Sequence, residues 1–274
     1  MTDAGTIISL IAVAVAAGTA GGILAGLLGV GCGIVIVPAL YLALSATKLA
    51  VGVEMQVAVA TSLATIVLTA LSSSRAHNRR GAVDHALLRR WSPWIIVGVV
   101  AGSLLGAVVD GRAMVAVFAS VATLVALNML SGRSTPKAEP HEPSAAIWAA
   151  TGIGAGGISA LMGIGGGTIC VPVLSFLGYD IRRAVGTSSA LGLVIGVPAS
   201  LVYIVTGLGL DDLPPFSLGY VNLLALAAIT PFTMYFATIG ARIAHAIPMR
   251  ALRMCFGLFL AATALRMFIN LATS

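Results

Sequence analysis

The stretch GLLGVGCGIVIVP, from Gly26 to Pro38, returns later in the chain as ALMGIGGGTICVP, from Ala160 to Pro172. Gly29, Gly31, Gly33 and Pro38 fall on Gly163, Gly165, Gly167 and Pro172 at a single offset of 134 (163 − 29). Both copies lie inside segments that are otherwise apolar enough to sit in lipid. Glycine in a helix interior costs roughly 1 kcal/mol relative to alanine, so two matched clusters read as two matched interruptions. The chain is therefore a tandem repeat, and each copy joins a long apolar segment to a short one through a glycine tip.

The composition fixes the solvent. Hydrophobic residues make up 59% and charged residues 9% of the 274-residue chain, where a soluble domain carries about 25% charged residues. Runs such as TIISLIAVAVAAGTAGGILAGLLG, from Thr6 to Gly29, reach the roughly 20 residues that a helix needs to cross about 30 Å of hydrocarbon. They lack the alternation of barrel strands, and a lipid-exposed backbone must otherwise be helical. The fold expected is thus an all-α integral membrane protein, with the lipid bilayer as its first partner. The net charge of +6 reads as topology, because Lys and Arg mark cytoplasmic loops, and not as a nucleic-acid footprint. Cys32, Cys170 and Cys255 lie in apolar segments without metal-ligand spacing, so they read as buried free thiols; no metal and no cofactor is expected. Asp3 stands where a signal peptide would be basic, so the first apolar run reads as a retained helix.

A second pair of matches orders the rest of the chain. VATS, Val59 to Ser62, aligns with VGTS, Val185 to Ser188, at an offset of 126 (185 − 59), and Gly81 falls on Gly207 in the same register. Half one thus has about eight extra residues around Lys48 to Gln56. Five apolar segments are expected per half, at 6–28, 34–44, 53–71, 91–109 and 113–130, then 145–162, 168–177, 184–206, 219–243 and 251–271. The first repeat spans 1–130, the polar linker 131–146 and the second repeat 147–274. The second segment of each half is too short to cross, which predicts a half-helix forming a hairpin with its predecessor, the glycine tip between them. The basic stretch 75–90 should be a cytoplasmic loop, and counting onward places every basic residue except Lys48, Arg112 and Arg266 on that side. The linker 131–146 is then cytoplasmic, while the N-terminus and the loop with Asp211 and Asp212 are outside. Each half has an odd number of crossings, so the repeats are inverted, as in many secondary transporters, and their tips meet near the membrane centre.

Two half-helix N-termini facing one cavity would form an anion site, since their first N–H groups have no helical partner and the dipole is positive there. The expected substrate-binding residues are Gly31, Cys32 and Gly33 in one tip and Gly165, Gly166, Gly167 and Thr168 in the other. Thr61 and Ser62, with Thr187 and Ser188, add hydroxyls at matching positions. Gly29, Pro38, Gly163 and Pro172 would hold the hairpin geometry. The competing reading of these glycines is close helix packing, and of these hydroxyls bonding to their own backbone. Packing is the reading adopted for Gly98, Gly102 and Gly106, and for Cys32 where it faces Gly166 of the other copy. Glu54 is expected at the outer interface, and His77 and His85 in solvent. GIGAGG, Gly152 to Gly157, fits a dinucleotide-binding string, but no strand precedes it. No nucleophile–base set or paired intramembrane carboxylates appear, so no enzyme is expected.

With GIGGGTICVP followed by RAVGTS in half two and GVGCGIVIVP in half one, the chain resembles the sulfite exporter TauE/SafE family of membrane permeases over nearly its whole length. The resemblance implies transport of small sulfur-containing anions, such as sulfite, sulfoacetate and other sulfonates, across the bacterial inner membrane. The expectation is an exporter working by alternating access, driven by the anion's own gradient and the inside-negative potential. Protons as coupling ion and a homodimer are both compatible with the sequence. An anion channel, or an uptake permease for a sulfonate or another small carboxylate or oxyanion, is the alternative.

Overall fold

The ten apolar segments become ten helices among the residues described by the computed structural model, which are 4–28, 31–47, 50–131, 143–210, 213–243 and 249–273. In half one these are α1 (Ala4–Leu28), α2 (Gly33–Thr47), α3 (Glu54–Arg79), α4 (His85–Val108) and α5 (Gly111–Leu130). In half two they are α6 (Ala145–Met162), α7 (Gly166–Phe176), α8 (Ile181–Thr206), α9 (Leu223–Ile243) and α10 (Met249–Thr273). Seven of them, α3 to α6 and α8 to α10, are long and apolar enough to cross a membrane. With 15 and 11 residues, α2 and α7 are about 22 and 16 Å long and fall short of the hydrocarbon thickness. The expected all-α membrane architecture is what the chain adopts. Gly29, Asp3, Asp211, Asp212 and linker residues 132–142 lie outside the described residues.

Two boundaries differ from expectation. The stretch 75–90 is not a loop, because α3 continues through Arg79 and α4 starts at His85. Asp84 starts it, its carboxylate accepting from the amides of Ala86 and Leu87 at 3.1 and 3.0 Å. In half two, α9 begins at Leu223 and not at Gly219, since residues 217–222 form a hairpin of β1 (Ser217–Leu218) and β2 (Val221–Asn222). Its turn has Gly219 at φ 53°, and the Tyr220 amide donates to the Tyr203 carbonyl at 3.2 Å.

The helices pack in pairs that survive exchange of the halves. Helix α1 lies along α9 as α6 lies along α4, α2 on α3 as α7 on α8, and α3 and α5 each pack on their own counterparts, α8 and α10. Small residues permit these approaches: a Cβ on Gly18 or Gly22 would meet the carbonyls of Ile229 and Thr233, and one on Gly98 or Gly102 those of Ile153 and Gly157. Gly98, Gly102 and Gly106 are therefore packing residues, and GIGAGG is helix interior at the same seam, Gly156 abutting the Ile95 carbonyl. Helices α3 and α8 run antiparallel, with Leu63 beside Gly196 and Ile66 beside Gly192. The fully buried Trp91 and Trp148 meet edge to face at 5.8 Å where α4 and α6 begin.

Candidate functional site

Helix α6 ends at Gly163, which takes the left-handed conformation (φ 67°) and donates its amide to the Ser159 carbonyl. The chain then turns back through Ile164, and Gly165 stands at the N-cap of α7 with no side chain capping the helix. In half one, Gly31 has φ 93°, and the amides of Val35 and Ile36 both donate to the Cys32 carbonyl at 3.1 Å, which starts α2. Helix α7 therefore presents uncapped amides where the sequence places its glycine tip, and α2 starts at the matching tip of half one.

Both tips open on one cavity of about 560 Å³, walled by Gly31 and Cys32 from half one and by Gly165, Gly166 and Gly167 from half two. Ser188 and Ser189 enter it from α8, and Thr233 and Thr238 from α9. Ser188 is 1% exposed and its hydroxyl has no hydrogen-bond partner. A buried hydroxyl left unpaired costs about 1–3 kcal/mol, and among the described residues with a buried, unpartnered side-chain atom only Ser188 lines this cavity.

The other residues expected at the site lie away from the cavity wall. Ser62 donates to the Gly163 carbonyl at 2.7 Å, and a Cβ on Gly33 would run into that same carbonyl, so both residues lock α2 and α3 onto the turn of half two. Thr61 accepts the Asn222 amide and Thr187 the Asp84 amide, each at 3.0 Å. These two threonines, at matching positions, each receive the N-cap residue of a helix in the opposite half. Thr168 is buried in the first turn of α7, 6% exposed. Pro38 and Pro172 fall inside α2 and α7, one turn or more past the tips. Gly166 has two duties, since a Cβ there would sit 2.8 Å from the Ser188 carbonyl, so it packs α7 against α8 as well as walling the cavity.

Sequence reasoning missed the rest of the wall. One face of α3, carrying Thr69, Ser73, His77 and then Arg80 just past its end, runs from the tips to the outside of the cavity. A segment ending at Leu71 leaves Ser73, His77 and Arg80 in a loop. The spacing of 4, 4 and 3 from Thr69 onward was the available signal, because such residues share a helix face. His77 is half-buried and not simply solvated. Cys32 Sγ lies 4.0 Å from Thr69 Oγ1, and Cys170 is buried, but Cys255 is exposed on α10, against expectation. The cavity wall has two basic side chains, His77 and Arg80, and no carboxylate among the described residues.

The sequence profile described as "Sulfite exporter TauE/SafE" matches residues 14–267. A probable membrane transporter protein of Haemophilus influenzae is 32% identical over 253 residues, covering 92% of this chain and 96% of its own. The probable membrane transporter protein YunE of Bacillus subtilis is 28% identical over 257 residues, covering 85% and 87%. A probable membrane transporter protein of Xylella fastidiosa is 33% identical over 178 residues, 62% of this chain and 64% of that one. No solved structure matches the chain.

Proposed function

Since the chain belongs to the sulfite exporter TauE/SafE family and is a multi-pass membrane transporter, we propose that it exports small sulfur-containing anions, such as sulfite, sulfoacetate or other sulfonates, from the bacterial cytoplasm. The substrate sits at the glycine tips, held by the uncapped amides of α7, by those at the start of α2, and by Ser188. The two halves are inverted repeats, and rocking of one bundle against the other exposes the tips to each face in turn.

The observation that carries the reading is the Ser188 hydroxyl, buried and unpartnered, at the uncapped start of a helix that opens on a cavity whose described residues include no carboxylate. A negative ligand is stabilised there by aligned N–H groups and the helix dipole, and the low-dielectric wall strengthens both. The anion's outward gradient and the inside-negative potential supply the driving force, about 2.3 kcal/mol per charge for each 100 mV.

The test is flux through the purified protein in liposomes against sulfite, sulfoacetate, isethionate, taurine, sulfate and thiosulfate. Saturable flux with counterflow of a sulfonate or sulfite is expected, and Ser188→Ala should raise its KM about tenfold, the effect of losing one hydrogen bond to a charged ligand. Non-saturating flux without counterflow would make the protein a channel, and absence of flux for every sulfur anion would overturn the substrate class.

A further inference from the structure

We infer that His77 and Arg80 form a second anion-binding station at the mouth of the cavity, separate from the glycine tips, which receives an oxyanion and selects against ligands that carry an ammonium group. The inference rests on the cavity being the substrate's path. Thr69 stands beside the tips, its Oγ1 4.0 Å from Cys32 Sγ, and His77 lies eight residues further along the same helix face. At 1.5 Å per residue the two stations are about 12 Å apart, too far for one small anion to touch both.

The cluster of basic residues in this region divides by position. Arg79 and Arg80 are both exposed, but only Arg80 lines the cavity wall, and Arg90 lies over the Trp148 ring at 5.6 Å. The carbonyl end of α3, which would repel an anion, is closed by the main chain: the His77 carbonyl accepts from the amides of Arg80 and Ala82, and the Asn78 carbonyl from Gly81. A guanidinium presents parallel donors that match two oxygens of a sulfonate, sulfite or carboxylate, and the histidine adds a ring donor. Clefts lined by one sign of charge concentrate the opposite ion. With no carboxylate among the described residues of the wall, an ammonium group would be desolvated without a partner, so the site distinguishes a plain sulfonate from an aminosulfonate such as taurine.

The potential at the mouth can be read without any transport. In a Cys32→Ser, Cys255→Ser background, Ser73→Cys places a thiol on this wall, with Ala76→Cys as a second reporter if the first does not fold. The thiol should react at least about tenfold faster with 2-sulfonatoethyl methanethiosulfonate than with its trimethylammonium analogue. Arg80→Gln should lower that ratio about tenfold, Arg80→Lys should retain most of it, and Arg79→Gln should change it less than about twofold. In the flux assay Arg80→Gln should raise KM for sulfoacetate with little change in maximal rate, and narrow the preference for sulfoacetate over taurine. Equal labelling rates for the two reagents, or equal effects of Arg79→Gln and Arg80→Gln, would overturn the station. If the labelling preference depends on Arg80 but no sulfur anion moves, the station stands and the transport reading falls.

Discussion

Ser62 and Ser188 occupy matching positions and differ in what their hydroxyls touch, one bonded to the Gly163 carbonyl and the other bonded to nothing. The difference converts directly into stability. Ser62→Ala should lower the unfolding free energy in detergent by about 1 kcal/mol, the net worth of a typical hydrogen bond, whereas Ser188→Ala removes a buried unpaired hydroxyl and should leave the melting temperature unchanged or raise it. The paired threonines next to them obey the same logic with a graded outcome. Thr61→Val leaves the buried Asn222 amide without its acceptor and should cost about 1–3 kcal/mol, with Thr61→Ser recovering most of it. Thr187→Val should cost less, because the Asp84 amide is only partly buried and water can replace the lost oxygen. A thermal-shift series on the five variants checks the ranking. None of this contrast was legible in VATS and VGTS: the sequence places equal hydroxyls at equal positions, and only the packing of each against a different neighbour decides which is bonded.

The elements were the legible part, for a physical reason. Twenty apolar residues admit few conformations other than a helix in lipid, so the existence of α1 to α10 follows from hydropathy. Where a helix ends is governed by caps, and those are local bonds that hydropathy does not see. The end of α3 shows this, since Ser72, Ser73 and Ser74 read as the start of a loop, yet α4 has its N-cap only at Asp84 and the chain stays helical until Arg79. The hairpin 217–222 escaped for the same reason, its apolar Leu218, Tyr220 and Val221 being indistinguishable from helix by composition. The seams between elements can be tested at single glycines. Gly98→Ala should destabilise the protein by about 1–3 kcal/mol or more, because the new methyl overlaps the Ile153 carbonyl at the α4–α6 contact. Gly154→Ala, next to Ile153 on α6 and facing open space, should be neutral or slightly stabilising. Equal melting temperatures for the two variants would mean that the seam is looser than the contact requires.

At the scale of the molecule, the two tips share a cavity because matching helices meet across the middle, α3 against α8, in antiparallel register. Matching helices that run in opposite directions put matching connections on opposite faces of the bilayer. In the topology proposed from the positive-inside rule, the α3–α4 turn, with its basic residues, faces the cytoplasm and the connection after α8 faces outward. In that proposed topology the cavity's mouth, at Ser73, His77 and Arg80, opens on the cytoplasmic face, where an exporter would collect its substrate. Sidedness is accordingly the measurement on which direction depends. In a Cys255→Ser background, Leu208→Cys, 58% exposed in the wild type, should react with an impermeant maleimide on intact cells. His85→Cys, exposed beside the basic turn, should react only after the membrane is permeabilised. Labelling of both from one face would mean that the halves are not inverted. Labelling of His85→Cys alone from outside would keep the inversion but turn the protein over, so that the cavity with Arg80 at its mouth collects anions from the exterior and the direction of transport becomes uptake.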